Sequence, residues 1–235
     1  MQKFIESEMV KIIHQKAEIT MTIEMVHLPK GRFMMGEGSG QREVVIDYEF
    51  EMGKYPVTFD EYDMFCEDTK REKSHDEGWG RGRRPAINVS WHDAVAFCEW
   101  LSEKSNQNYR LPTETEWEYA CRAGTTTKWS FGDDEKELDK YAWYDNNSYD
   151  LGEEHKDYGI NIVGEKLSNP WGLFDIHGNV FEWCEDWYDN KEDRKVLRGG
   201  SWSNIPRNAR SSYRNRYSPS VRSSVVGFRL LRTLP

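Results

Sequence analysis

Apolar residues in the first half of the chain recur with the spacing of amphipathic helices, and each such stretch begins with a helix start signal. A Ser or Thr is followed three positions later by an acidic residue, the capping-box pattern, at Thr58–Glu61, Ser90–Asp93 and Thr113–Glu116. After Ser90 the apolar positions follow the i, i+3, i+4, i+7 spacing of a buried helix face, at Ala94, Phe97, Cys98 and Leu101. The sequence therefore predicts three helices, the last of which ends near Gly124.

Strand patterns flank these helices. Residues 46–52 alternate between apolar and acidic side chains, which predicts one half-buried strand. Beyond residue 125 the helical periodicity fades, and short strands are expected at 180–183, 196–202 and 225–231. Strands, then helices, then loop-rich strands predict an α+β fold with much irregular structure. Residues 1–20 are expected to form a helical or extended lead-in, and residues 21–235 a single domain.

Length and composition exclude several classes of protein. A chain of 235 residues can bury a substantial core, and its 14% aromatic content argues against disorder. No apolar run reaches about 18 residues, so no membrane-spanning helix is expected. Glu6 and Glu8 interrupt the apolar start, which argues against a secretory signal there. The localisation stays open, since surface display would need a missing leader or a separate export factor.

The cysteines are widely spaced and include no CxxC pair. Two disulfides are arithmetically possible, but the chain is not a small stapled scaffold, and buried free thiols in a reducing compartment are expected. The four are Cys66, Cys98, Cys121 and Cys184.

Charge is distributed unevenly along the chain. Residues 196–235 contain eight Arg and no Asp or Glu, a charge of +8, which leaves −17 for the rest of a chain whose net charge is −9. A basic tail of this kind can bind nucleic acid. It can also be a folded segment whose arginines pair with the acidic body. Trp202, Tyr213, Tyr217 and Phe228 favour the folded interpretation, because a solvated basic arm has no need of large apolar side chains.

Motifs for the common catalytic and metal sites are missing from the sequence. The six histidines form no HExxH or zinc-spaced cluster, and there is no GxSxG elbow or P-loop. Most acidic pairs are expected to be solvated. Asp175 and Glu182 differ, because they flank a His177-Gly178-Asn179 turn that offers backbone carbonyls between two carboxylates. Oxygen ligands of this kind suit calcium, although a salt bridge from Glu182 to an arginine of the tail is an equal alternative.

Eight short motifs follow one another in a fixed order: Pro85–Trp91, Arg110–Glu114, Glu116–Ala120, Asn169–Leu173, Gly178–Val180, Glu182–Trp183, Arg198–Trp202 and Gly227–Arg229. In this order, from about residue 24 to residue 232, the chain resembles the formylglycine-generating enzyme (sulfatase-modifying factor) domain family. The resemblance implies a C-type-lectin-like fold. It also matches a calcium site of the family to the side chains of Asp175 and Glu182 and the carbonyls of Gly178 and Val180.

The resemblance also implies what this chain has lost. Oxidase members of the family use two cysteines after the Gly-Gly-Ser-aromatic motif, and the matching positions here are Asn204 and Ala209. No Cys follows Cys184, so the soft ligands that Cu(I) needs are missing there, and neither copper nor oxidase activity is expected. The chain is therefore expected not to be an enzyme.

The C-terminal segment further resembles the variable region of proteins diversified by retroelements, which use the same lectin-like fold. Residues 198–229 then form the variable ligand-binding region, in which changeable positions are interleaved with fixed framework residues. The changeable, ligand-binding set is Ser203, Asn204, Ile205, Asn208, Tyr217, Ser218, Ser220, Val221, Ser223, Ser224 and Val225. Small, polar and adaptable side chains of this kind suit a binding surface. An ordinary Ser-rich loop is the alternative.

Three functions remain after these observations. The first is a non-enzymatic protein that binds a protein or a cell-surface ligand through the interleaved positions. The second is an enzyme of the same superfamily with unidentified chemistry, neither copper-dependent nor formylglycine-forming. The third, nucleic-acid binding by the tail, ranks last because its arginines occupy framework positions. The sequence identifies neither the ligand nor the oligomeric state.

Overall fold

A computed structural model describes residues 7–14 and 17–234, and it is an α+β fold built on two larger sheets. The helices are α1 (Phe59–Thr69), α2 (Trp91–Ser105) and α3 (Glu114–Arg122). The strands are β1 (Ser7–His14), β2 (Ala17–Leu28), β3 (Gly31–Met35), β4 (Arg42–Ile46), β5 (Phe50–Gly53), β6 (Asn108–Arg110), β7 (Phe181–Trp187), β8 (Lys195–Arg198), β9 (Asn215–Tyr217), β10 (Val226–Gly227) and β11 (Leu231–Thr233).

Each helix begins where its capping box predicted. Thr58, Ser90 and Thr113 are the N-caps, and each one's acidic partner three positions later completes the reciprocal hydrogen bonds. At the end of α3, Ala123 adopts left-handed backbone angles and Gly124 follows it. The local capping chemistry therefore defines all three helix starts.

The five-stranded sheet has the order β1-β2-β5-β11-β6, so the N-terminal hairpin and the C-terminal strand belong to one sheet. A four-stranded sheet, β10-β7-β8-β9, carries the C-terminal segment, and β3 pairs with β4 alone. Strand β2 crosses the boundary expected at residue 20 and pairs with β5, so the described part of the lead-in is strand. Residues 1–6, 15, 16 and 235 lie outside the described residues.

The single strand predicted over residues 46–52 is wrong. The structure divides it into β4, which ends at Ile46, and β5, which begins at Phe50, and the two lie in different sheets. Tyr48, expected on the apolar face, is exposed, and its hydroxyl donates to Glu116 Oε1 at 2.8 Å. The strand expected at 180–183 is longer, as β7, whereas the one expected at 196–202 ends at Arg198 and the run 225–231 is divided between β10 and the start of β11. Between α3 and β7 the described chain holds only short 3₁₀ helices, at 135–140, 145–147 and 149–151.

The core packs the helices against both larger sheets. Phe65, Phe97 and Phe228 are fully buried and meet at ring centroid distances of 5.4–5.5 Å, so α1, α2 and the C-terminal segment share one apolar cluster. A second cluster joins Trp117 of α3 to β5 and β11. All four cysteines are buried and free, as expected. No helix in the described part of the chain is long and apolar enough to cross a membrane.

Candidate ligand-binding face

Burial divides the segment 198–229 into two kinds of position. Residues 198–202 and 226–229 are buried without exception. All eleven predicted ligand-binding positions are instead partly or fully accessible, and Ile205 is 55% exposed. We call this set of eleven the variable face. Tyr217 and Val225 are partly buried and also pack against the core. The other nine side chains can meet a partner without disturbing it.

Trp202 forms the centre of an aromatic cluster beneath part of this face. Its ring lies 4.9 Å from Trp79, 5.1 Å from Tyr158 and 5.8 Å from Tyr149. The indole Nε1 donates to the carbonyl of Ser224 at 3.1 Å. Trp202 therefore holds residues 203–205 next to residues 223–225. Trp79, Tyr149 and Tyr158 were not recognised from the sequence, because they come from distant parts of the chain.

Residues 217–221 of the variable face lie next to the start of α2. The amide of Trp91 donates to the Pro219 carbonyl at 3.0 Å, and the Ser218 and Ser220 hydroxyls lie 3.3 Å apart. Arg222 lies in the chain between Ser220 and Ser224, and its guanidinium pairs with the Asp93 carboxylate at 2.8 Å. Asn208 lies in a 3₁₀ helix, Pro206–Ala209. The variable face thus extends from that helix to the start of α2.

The two glycines before Ser201 allow the chain to pass closely over the 3₁₀ helix. Gly200 has a φ of +77°, and a Cβ placed on it would lie 3.0 Å from the Asn208 carbonyl oxygen. Gly199 has a φ of +99° and lies against the Trp117 ring. The geometry therefore accounts for both residues by close packing, without the phosphate cradle that a Gly-Gly-Ser run can suggest.

Arginines of the basic tail are held by carboxylates of the acidic body. Arg198 is buried and pairs with Glu114 at 3.1 Å and Glu118 at 2.6 Å, while Arg214 pairs with Glu114. Across the described residues, seven of the eight arginines form ion pairs, and Arg207 is the exception. The folded interpretation of the tail is confirmed. The α3 carboxylates that serve it were not recognised from the sequence, although the −17 body indicated that partners existed.

The positions matched to the family's cysteines serve structural roles. The Asn204 side chain accepts a hydrogen bond from the Ser201 hydroxyl at 2.7 Å. Ala209 is buried, and its carbonyl accepts from Nδ1 of His177 at 2.7 Å. Burial lowers the pKa of His177 to about 4, so its Nε2 is a neutral acceptor for Ser130. Burial also raises the pKa of the nearby Cys121 thiol to about 12.

The residues of the expected calcium site lie close together, but Glu182 is already engaged. Arg229 donates to both of its carboxylate oxygens at 2.8–3.1 Å, and Trp117 Nε1 donates to Oε2 at 2.7 Å. Asp175 accepts from the Gly164 amide at 2.7 Å, and burial raises the pKa of this carboxyl to about 6. The positive charge of Arg229 on the Glu182 carboxylate disfavours the binding of a divalent cation by the same carboxylate. These contacts favour the salt-bridge alternative, and the calcium set Asp175, Gly178, Val180 and Glu182 stays a prediction.

Comparison with known proteins agrees with the fold and the motifs. Residues 11–234 match the Sulfatase-modifying factor enzyme 1-like domain. The chain belongs to this family. A solved structure, Treponema denticola variable protein 1, superimposes with a TM-score of 0.80 at 26% identity, covering 99% of this chain and 100% of that one. The family and the lectin-like fold expected from the sequence are thus confirmed.

Relatives in this family differ in what surrounds the domain. Inactive C-alpha-formylglycine-generating enzyme 2 of Bos taurus is 28% identical over 88% of this chain and 87% of its own length. Serine/threonine-protein kinase pkn1 of Chlamydia caviae is 27% identical over 88% of this chain but only 37% of its own length. The chain therefore spans less than two fifths of the kinase relative. The family includes members described as inactive, which fits a non-enzymatic scaffold.

Proposed function

We propose that this chain is a non-catalytic ligand-binding protein, in which the variable face contacts a protein or cell-surface ligand. One observation carries the proposal. Every one of the eleven interleaved positions is accessible, whereas the framework runs on either side, 198–202 and 226–229, are buried. Fixed residues between the two runs are accessible as well, among them Arg207, Arg214 and Arg222, so the segment presents one accessible surface between two buried runs.

Backbone hydrogen bonds hold the variable face in place. The Asn204 carbonyl accepts from the Asp145 amide at 3.1 Å, and the Ser223 carbonyl accepts from the Asn88 amide at 3.1 Å. The Val225 carbonyl accepts from the Phe181 amide at 2.8 Å. The main chain is therefore fixed by contacts that do not depend on the side chains of the face. A fixed main chain lowers the entropy that binding must remove, which favours affinity.

The shape of the variable face suits a macromolecule more than a small molecule. Its positions extend from the 3₁₀ helix to the start of α2, and exposed Tyr149 and Ile205 lie at the Trp202 end. Small ligands favour enclosed pockets, whereas protein partners are bound by apolar and aromatic anchors surrounded by polar groups. Tyr149 and Ile205 are the anchors that this surface offers.

The sulfur chemistry of the family has no counterpart on this surface. Neither Asn204 nor Ala209 offers sulfur, and the four cysteines are buried elsewhere. Burial raises the pKa of the Cys66 thiol to about 11, and it raises the pKa values of the other three as well, which disfavours the reactive thiolate. Incubation of the copper-treated protein with a cysteine peptide is expected to yield no aldehyde by mass spectrometry, and aldehyde formation would contradict the proposal.

The decisive experiment is to sequence the same locus in sibling isolates. We expect amino-acid differences to concentrate at the eleven positions of the variable face and to spare the buried run 198–202. Residues 91–105 provide the matched control, since this helix has both buried and exposed positions but none of the predicted face. Differences spread in proportion to exposure over that helix and the face alike would remove the diversified interpretation.

A further inference from the structure

A second surface, outside the variable face, gathers positive charge around an open cleft. The cleft has a volume of about 730 Å³ and lies between the turn that joins β3 to β4 and the segment 207–214. Three arginines and one glutamate are its charged lining residues: Arg207, Arg210, Arg214 and Glu37. On a chain with a net charge of −9, such a local excess of positive charge calls for a specific explanation.

Two of the three arginines of the cleft have unused donors, whereas Arg214 donates from Nε and Nη2 to the carboxylate of Glu114. Arg207 is exposed, and within the described residues it forms no ion pair. The Nε of Arg210 is buried without a hydrogen-bond partner, while its guanidinium lies 5.7 Å above the Trp129 ring. Arg214 is positioned by Glu114 and stacks 4.4 Å above Tyr188. Arg210 and Arg214 are thus held in fixed orientations by aromatic rings, as in sites that recognise oxyanions.

Glu37 occupies the position that an external anion would take. Its carboxylate accepts from Arg210 Nη1 at 3.3 Å and from the Ser212 hydroxyl at 2.8 Å, and its side chain is 53% exposed. The ion pair with Arg210 is long and its carboxylate is exposed, so this pair is weak. The side of the cleft that carries Glu37 has free space, since a Cβ on Gly38 or Gly40 would meet nothing within 4 Å. The carboxylate can therefore move aside without a clash.

We propose that this cleft binds a doubly charged tetrahedral oxyanion, a phosphate or sulfate group, which displaces Glu37 from Arg210 and Ser212. Guanidinium groups bind such oxyanions through paired charge-assisted hydrogen bonds, and the Ser212 hydroxyl supplies a further donor. None of the cleft residues belongs to the variable face, so this site is the same whatever the face carries. The proposal does not depend on the proposed function.

The test measures binding of inorganic phosphate and of inorganic sulfate, in separate titrations at constant ionic strength with chloride as the balancing anion. Binding is monitored by calorimetry and by the shift of the unfolding temperature. Glu37→Gln removes the internal competitor, and we expect it to tighten oxyanion binding by about three- to tenfold. Arg207→Gln, at an exposed residue, is expected to weaken binding by about tenfold or more without unfolding the chain. The two titrations show which oxyanion the cleft prefers.

Matched controls come from the same hairpin. Glu43→Gln makes the same charge change on β4, where Glu43 pairs with Arg32 outside the cleft, and Arg32→Gln matches the arginine variant. Both are expected to change binding by less than about twofold. Absence of saturable binding in the wild type and in Glu37→Gln would overturn the proposal. So would an equal effect of Glu37→Gln and Glu43→Gln. Substitutions in the variable face are expected to leave phosphate binding unchanged, so the two proposals can fail separately.

Discussion

Replacing Glu182 by Gln tests whether the buried carboxylate serves an arginine or a cation. Glu182 and Arg229 both have fully buried side chains. Arg229 also donates to the carbonyls of Gly53 at 2.8 Å and Phe174 at 2.7 Å, which joins β5 and the loop before β7 to the C-terminal segment. The substitution keeps the shape of the side chain but removes its charge, so Arg229 is left as a buried cation.

The size of the effect follows from these contacts. Removing one partner of a buried ion pair costs about 3–5 kcal/mol, because the remaining charge is uncompensated. The amide group of Gln must also face either the Trp117 indole N–H or the guanidinium, so one further donor loses its acceptor. The two carbonyls that Arg229 already contacts moderate the loss. We therefore expect the free energy of unfolding to fall by about 3–5 kcal/mol, a large part of the usual 5–15 kcal/mol.

Urea denaturation at pH 7, followed by Trp fluorescence, measures this change through the midpoint at constant m-value. The matched control is Glu185→Gln on the same strand, where the carboxylate is 53% exposed and 3.8 Å from Arg110. That surface pair is expected to contribute less than about 1 kcal/mol. If Glu182→Gln costs no more than the control, and excess calcium over a chelator stabilises the wild type but not Glu182→Gln, the ion-pair reasoning is refuted and the calcium site is supported.

Three further outcomes follow from the same geometry. Trp202→Ala should cost about 3–5 kcal/mol in urea denaturation, whereas Ile205→Ala should stay within about 0.5 kcal/mol; equal losses would contradict the division into framework and face. Between pH 6 and 4 the folded chain protonates Asp175 and the unfolded chain protonates His177, so the two groups offset each other. Asp175→Asn removes the first effect, and the stability of this variant should fall more steeply with acid than that of the wild type, by up to about 1.4 kcal/mol per pH unit; parallel pH profiles would show that the pKa of Asp175 is not raised. A thiol reagent should label none of the four cysteines in the native chain and all four after unfolding. Rapid labelling of any one in the native chain would contradict its burial. The four are Cys66, Cys98, Cys121 and Cys184.

The helices were predictable from local chemistry, whereas the pairing of the strands was not predictable from the sequence. A capping box involves residues three positions apart, so Thr58, Ser90 and Thr113 define helix starts without help from the rest of the chain. The alternation over residues 46–52 carries no information about which sheet receives each half. That assignment depends on β3 and β11, which are far apart in the chain. The exposed Tyr48 was misplaced for this reason.

The candidate face was predictable only where its pattern is local. Interleaved framework and changeable positions within 198–229 are a property of one segment, and all eleven changeable positions are accessible, as are framework Arg207, Arg214 and Arg222. The aromatic cluster below them was not predictable, because Trp79, Tyr149 and Tyr158 reach Trp202 from loops that precede it by more than 40 positions. The choice between salt bridge and calcium at Glu182 likewise required the position of Arg229, which is 47 residues away.

The arginine framework explains how a face can change without loss of the fold. Arg198, Arg214, Arg222 and Arg229 lie before, between and after the positions of the variable face, and each pairs with a carboxylate outside the segment. The pairs of Arg198 and Arg229 are buried, and such pairs add little net stability but are costly to break, so these two fix position. Arg214 and Arg222 are 39% and 54% exposed, and their pairs contribute less. Substitutions at exposed positions between these anchors, such as Ile205 and Ser220, each change stability by only about 0.5 kcal/mol or less. The anchors therefore hold the main chain in register whatever side chains the face presents, and selection on binding can act at the face almost independently of selection on folding.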